Sequence, residues 1–238
     1  MPLPDGPGPL AFVCAMPMEL RPLTKALRLE PTTLGGGPAK RGTLDGREVV
    51  AIVTGMGTEL ATAGIRRLLD AVTPVQVLVV GITGAVDDVR PIGSMVWPAV
   101  VIDHASGREH EHLLLGGGVV SGAMWTTDVI TKPHELPALI ERGVISLDME
   151  TAAIALECEQ RGVPWSVFRA ISDRATDGSI DDEVFHLSHQ DGTPNPRAVL
   201  RYGLRHPVKL VSLAKMGKGA TLATRAAADA AIAAVRAP

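Results

Sequence analysis

Residues 146–176 read SLDMETAAIALECEQRGVPWSVFRAISDRAT, and the fold turns on how this stretch divides. Thr151 to Arg161 reads as a helix: Ala153, Ile154, Leu156 and Cys158 mix with Glu157, Glu159 and Gln160, and Gly162-Val163-Pro164 supplies the stop. Trp165 to Ile171 reads as a short apolar strand. Asp148 and Glu150 stand at the helix entrance, where the helix dipole favours carboxylates, while Arg169 lies in the strand and Ser172-Asp173 where it ends. In an open α/β sheet, ligands collect at the carboxyl ends of strands, so these charged residues are read together as one candidate site.

Upstream, Lys132 to Arg142 reads as a helix feeding a strand at Val144 to Leu147. Val75 to Gly81 is a continuous apolar run, expected to be a central strand buried on both faces. Leu10 to Met16 is strand-like, and Met18 to Leu27 has Leu20, Leu23 and Leu27 at helical spacing, with Glu19 in the turn between. Gly35-Gly36-Gly37 is a loop, followed by a hairpin through Asp45-Gly46. Its second strand ends in Gly55-Met56-Gly57 before a helix from Glu59 to Val72, and such a turn either closes tightly or presents amides to an anion. Ser94 to Asp103 is expected to be one strand, with His104, His110 and His112 exposed in the polar loop after it, too few and unpartnered for a metal site. Pro196 to Ala214 and Gly219 to Val235 read as two helices, the second rich in alanine.

The 238 residues, 46% hydrophobic, suffice for one α/β domain with a buried core. A formal charge of −3 with scattered Lys and Arg gives no case for nucleic acid or an anionic membrane. No apolar run reaches about 18 residues and the N-terminus lacks signal-peptide character, so a cytoplasmic location is expected. Cys14 and Cys158 have neither CxxC nor Cys/His spacing and are expected to be buried free thiols.

DMETAAIA followed by RAISD resembles the paired motif of the nucleoside phosphorylase and nucleosidase superfamily, most of all its methylthioadenosine/S-adenosylhomocysteine nucleosidase branch. The resemblance implies a three-layer α/β/α domain with a mixed central sheet, occupying 1–238, with 177–238 a divergent helical extension. Residue by residue, it makes Glu150 the acceptor for the ribose hydroxyls, with Met149 packed against the sugar. Asp173 becomes the acid that protonates the purine at N7, with Ser172 and Arg169 beside it. CAMPMELRPL resembles the first strand and turn of the nucleosidases, which puts Glu19 on the carboxylate that activates water.

Ile82-Thr83-Gly84-Ala85 resembles the small-residue loop beneath the ribose, although relatives often carry Ser or Thr where this chain has Ile82, leaving Thr83 as the nearest hydroxyl. Trp125 falls where the family sets an aromatic ring against the base, and Ala123 where nucleosidases tend to have a polar residue. The segment 105–116 is shorter than in relatives, so part of the pocket wall is either missing or supplied by another subunit. The tail, and DHASG, resemble a hopanoid-associated phosphorylase-like branch.

An N-glycosidic bond breaks with negative charge on the base and positive charge on the sugar. An ordinary aspartate has a pKa of about 3.9, so Asp173 serves as the acid only where burial raises that value. Ile82 and the missing Gly-Asp-Pro-x-Arg pattern favour hydrolysis, with Arg169, Arg21 or a backbone nest left as possible oxyanion holders. The expected activity is hydrolysis of a purine nucleoside without cofactor or metal. The alternatives are phosphorolysis of an adenosine-linked precursor, with inorganic phosphate as co-substrate, or nucleoside binding without catalysis. The resemblance also implies a homodimer or higher homo-oligomer.

Overall fold

The computed structural model describes residues 6–177, 193, 195, 201 and 210–236. Leu10–Cys14 (β1) is apolar and buried throughout, and leads into Pro17–Leu27 (α1), whose Leu20, Leu23 and Leu27 face inward. Glu30–Leu34 (β2), Gly37–Leu44 (β3) and Arg47–Val53 (β4) form an antiparallel meander. Its two turns hold Gly35, Gly36, Asp45 and Gly46 at positive φ. Thr58–Ala71 (α2) then returns the chain to Gln76–Ala85 (β5).

Met95–Val96 (β6), Val100–Asp103 (β7), Glu109–His110 (β8) and Ala123–Thr126 (β9) follow, then Leu136–Glu141 (α3), Val144–Asp148 (β10), Thr151–Gln160 (α4), Trp165–Arg174 (β11) and Leu210–Arg236 (α5). The sheet runs β2-β3-β4-β1-β5-β10-β9-β7-β8, with β11 on β5 and β6. It is mixed: β1 is parallel to β4 and β5, and β10 is antiparallel to β5.

Strand alternation divides the core in two. Ala11 and Val13 of β1 face a cluster closed by Ala61, Ile65 and Leu68 of α2 and Ile154, Ala155 and Cys158 of α4. Leu10, Phe12 and Cys14 face one closed by Leu20 and Leu23 of α1 and Ala223, Ala227 and Ala231 of α5. Helices on both faces of a mixed sheet are the three layers expected. Both cysteines are free and buried, as their apolar contexts require.

β5 positions the site because it changes partners along its length. It pairs with β1 from Gln76 to Val79 and with β10 only at Gly84 and Ala85, while β11 follows it from Val77 to Ala85. Between Val79 and Gly84 one edge of the central strand is therefore released by β1 and not yet taken by β10. Such a switch of neighbours is where α/β sheets open to ligands.

Four expectations are corrected. The strand read over 94–103 is two strands, β6 on β11 and β7 on β9, because Trp97-Pro98-Ala99 leaves the ladder. Pro98 has no N–H to contribute, and Trp97 turns edge-on to Phe168 at 6.0 Å. Gly37 belongs to a strand, and β2, hidden by Pro31 and its polar residues, pairs with it. The tail helix α5 does not begin anew at Gly219 but runs through it; a Cβ there would lie 2.5 Å from the Ser172 carbonyl oxygen, so this glycine permits close packing rather than a stop. Most of the helix read over 196–214 and the acidic and polar loops read over 178–195 lie outside the described residues. Finally, His110 is 1% exposed, with Nδ1 2.9 Å from Oε1 of Glu159, because β8 folds back on β7 and carries it inward. His112 is half-buried against Trp165, and burial lowers its pKa.

Candidate active site

Four charged side chains from distant parts of the sequence meet beside Gly81 and Ile82 of β5. Glu19, in the first turn of α1, folds back so that Oε2 accepts from the N–H groups of Ala15 (2.8 Å) and Met16 (2.9 Å), much as in a capping box. Its Oε1 accepts from Ile82 N–H at 2.8 Å. Asp148, at the end of β10, caps α4: Oδ2 accepts from Thr151 N–H (3.0 Å) and from the Thr151 hydroxyl, and Oδ1 from Thr126 Oγ1 (2.6 Å). Glu150 is the residue before α4, and its Oε1 accepts from Gly57 N–H at 3.1 Å. The anion on the Gly-Met-Gly turn is thus the protein's own carboxylate.

Arg169 of β11 binds all three carboxylates. Its Nη2 donates to Asp148 (2.7 Å), Glu150 (3.1 Å) and Thr151 Oγ1 (3.2 Å), and its Nη1 to the Ile82 carbonyl (3.1 Å) and, at 3.5 Å, to Glu19. The four residues are between 1% and 6% exposed. Burial pulls the Arg169 pKa down, but the three carboxylates outweigh it and keep the group protonated. Burial raises the Glu150 carboxyl to about 7, against the pull of Arg169 and with the push of Asp148 and Glu19. Burial likewise raises Glu19. Space for the cluster depends on Gly81, where a Cβ would stand 2.3 Å from Glu19 Oε1 and 2.5 Å from Arg169 Nη1.

Asp173 lies on the other side of β5. The register sets Leu147 of β10 and Asp173 of β11 both against Gly84, with a bulge between Ile171 and Asp173. Two strand spacings, about 10 Å, therefore separate the β10 end bearing Asp148 and Glu150 from Asp173. Asp173 is half-buried, accepts from the Ser172 hydroxyl, and would have Oδ2 3.3 Å from a Cβ placed on Gly84. Each acidic group thus occupies room that one of two glycines leaves open.

The remaining expected residues take different places. Met149 is half-buried between Asp148 and Glu150. Thr83 is 3% exposed and donates its hydroxyl proton to Leu147 O at 2.7 Å, so it fastens β5 to β10. Arg169 was read as a neighbour of Asp173, but its side chain lies with Glu19 and Glu150, as the β11 register and bulge require. Arg21, the other cation read for an oxyanion, is exposed on α1. Trp125 is 6% exposed in a third apolar cluster, with Arg142 4.6 Å above its ring, His104 at 5.3 Å, and Ala175, two residues beyond Asp173, packed against the cluster. Among the described residues no group of three His, Cys, Asp or Glu is arranged to hold a metal ion. Two surface hollows of about 430 and 510 Å³ lie on α5, and neither is lined by these site residues.

The profile of the Phosphorylase superfamily matches residues 9–115 and 109–204. The chain belongs to this superfamily. The 5′-methylthioadenosine/S-adenosylhomocysteine nucleosidase of Shewanella sp. (strain W3-18-1) is 28% identical over 205 residues, covering 73% of this chain and 89% of that protein. The Neisseria meningitidis nucleosidase of the same name, solved with methylthio-immucillin-A, superposes with a TM-score of 0.72 at 17% identity, covering 95% of this chain and 98% of that one. The futalosine hydrolase of Helicobacter pylori gives 0.71 at 16% identity, covering 95% and 96%. The phosphorylase-superfamily architecture therefore holds across the described chain. No described helix is long and apolar enough to cross a membrane.

Proposed function

We propose that this superfamily member hydrolyses the N-glycosidic bond of a purine nucleoside, as the names of its nucleosidase relatives suggest, with 5′-methylthioadenosine or S-adenosylhomocysteine as the substrate class. The observation carrying the proposal is the register Leu147–Gly84–Asp173, which sets a desolvated acidic cluster and a separate carboxylate on opposite sides of one glycine.

A carboxylate has about four lone-pair sites. Glu150 fills one with Gly57 N–H and one with Arg169, leaving two acceptor sites to match the two ribose hydroxyls. Oε2 of Glu19 is filled by two amides, whereas Oε1 holds Ile82 N–H and only a 3.5 Å contact to Arg169, leaving one site for a water. Asp173, placed across Gly84 from that cluster and oriented by the Ser172 hydroxyl, is the group we assign to donate a proton to the base as the C–N bond breaks. The cluster carries two negative charges in excess of Arg169 when all three acids are ionised, which favours the positive sugar of the transition state. Water supplies the hydroxyl and the chain supplies the acid and base, so the reaction calls for no cofactor. A cytoplasmic homo-oligomer is the setting in which we place it.

Phosphorolysis is opposed by the same geometry. Arg169 is already shared by three carboxylates, and the Ala15, Met16 and Ile82 amides are spent on Glu19. Each unit of phosphate charge 4 Å from an uncompensated carboxylate costs about 4 kcal/mol at an effective dielectric of 20. The test is release of free base by the purified protein from 5′-methylthioadenosine, S-adenosylhomocysteine and inosine, with and without phosphate. Phosphate-independent release of adenine is expected. Strict dependence on phosphate, or no base from any of the three, overturns the proposal.

A further inference from the structure

Of the three buried acids around Arg169, Asp148 has no part in the chemistry just described. Its Oδ2 accepts from Thr151 N–H, Thr151 Oγ1 and Arg169 Nη2 and its Oδ1 from Thr126 Oγ1, so this buried carboxylate is held on both oxygens by the protein itself. It also makes the shortest carboxylate contact to the guanidinium, 2.7 Å against 3.1 Å for Glu150 and 3.5 Å for Glu19.

We propose that Asp148 is a positioning residue for hydrolysis, one that draws the Arg169 guanidinium to itself and so keeps it from closing on Glu19. The inference rests on the nucleosidase reading above. A guanidinium attracted by three carboxylates moves toward whichever is left when one is removed. Contact with Glu19 at an ordinary 2.8–2.9 Å fills the last acceptor site of Oε1, the one assigned to water. Asp148 is itself anchored from two sides, by Thr126 of β9 and by the first turn of α4, and Thr126 Oγ1 in turn accepts from Ala152 N–H at 3.1 Å. The 3.5 Å gap between Arg169 and Glu19 is therefore set by β9, β10 and α4 together.

Asp148→Asn tests this, because the carboxamide retains an oxygen for Thr126 or Thr151 but loses the charge that holds Arg169. The expected result, per folded molecule, is a kcat on 5′-methylthioadenosine lower by roughly a hundredfold with KM changed far less. The groups facing Glu150 are Glu19 from α1, Asp148 from β10, Arg169 from β11 and the Gly57 amide before α2. Losing the Asp148 charge therefore also moves the Glu150 titration down from about 7. Carbon-13 NMR of the glutamate carboxyls reads that shift without turnover. Asp148→Glu, which keeps the charge, is expected to recover part of kcat.

A purely structural Asp148 would lower the melting temperature of D148N yet leave kcat and KM where they were, and that outcome overturns the proposal. Should D148N not fold, Thr126→Val, which loosens Asp148 without discharging it, decides the matter: a fall in kcat at unchanged KM supports positioning, and an unchanged kcat refutes it. A wild-type protein that releases no base from any purine nucleoside overturns the functional reading instead, and the NMR titration still shows whether Asp148 governs Glu150.

Discussion

The two sides of β5 at Gly84 handle negative charge in opposite ways. On the β10 side three carboxylates and one guanidinium are buried and held from α1, β9, β10, α4 and β11. On the β11 side Asp173 is half-buried, and a neighbouring serine hydroxyl reaches it. The first arrangement fixes geometry at a cost in desolvation; the second leaves a carboxyl half-buried beside one hydroxyl donor. In the reaction proposed above, the difference suits a sugar that must be gripped and a base that must be protonated and released.

The comparison breaks most completely at Arg169. Arg169→Met leaves three buried acids without a counter-charge and is expected to cost about 3–5 kcal/mol, and the folded state with it, as measured by denaturant melts. Asp173→Asn, on the more open side, is expected to leave the melting curve unchanged while lowering kcat by about 10²–10⁴-fold, followed by adenine release. Gly81→Ala forces a methyl group onto Glu19 and Arg169 and is expected to cost about 1–3 kcal/mol, whereas Gly84→Ala, with 3.3 Å to Asp173, is expected to slow turnover with little loss of stability.

The pH dependence separates the two sides without mutation. Glu150 titrates near 7 in the folded protein against 4.5 as a free side chain, so the folded state binds the extra proton between those values. Stability is then greatest at the acid end of that window, falls as pH rises through it, and levels off above about 7, with Glu19 adding in the same direction. Thermal melts across the window check the sign. In the role proposed for it Glu150 accepts from the ribose hydroxyls as the ionised carboxylate, so KM is expected to fall over the same range in which the melting temperature falls.

Much of this was legible in the sequence because the decisive signals are local. Helix stop, apolar strand and terminal acids all lie within 146–176, and the hydrophobic run at 75–81 marks the central strand. What escaped depends on contacts between distant residues. Asp148 showed only as a carboxylate at a helix entrance; its bonds to Thr126 and Arg169 cross strands. Arg169 could not be separated from Asp173 by spacing, since the bulge after Ile171 alters the alternation. Trp97-Pro98 is a breaker inside an otherwise apolar run, and the run hides it. Gly219 looked like punctuation because the carbonyl it accommodates belongs to residue 172.

That last contact joins β11 to the helix behind it. The alanine face of α5 covers Phe168 and Ala170 on the back of β11, and Gly219 abuts the carbonyl of the residue before Asp173. Were α5 lifted away, that strand would lose the cover on its rear face and show a sticky apolar strip just behind residue 173, so detaching the helix is expected to disturb the far side of the sheet as well.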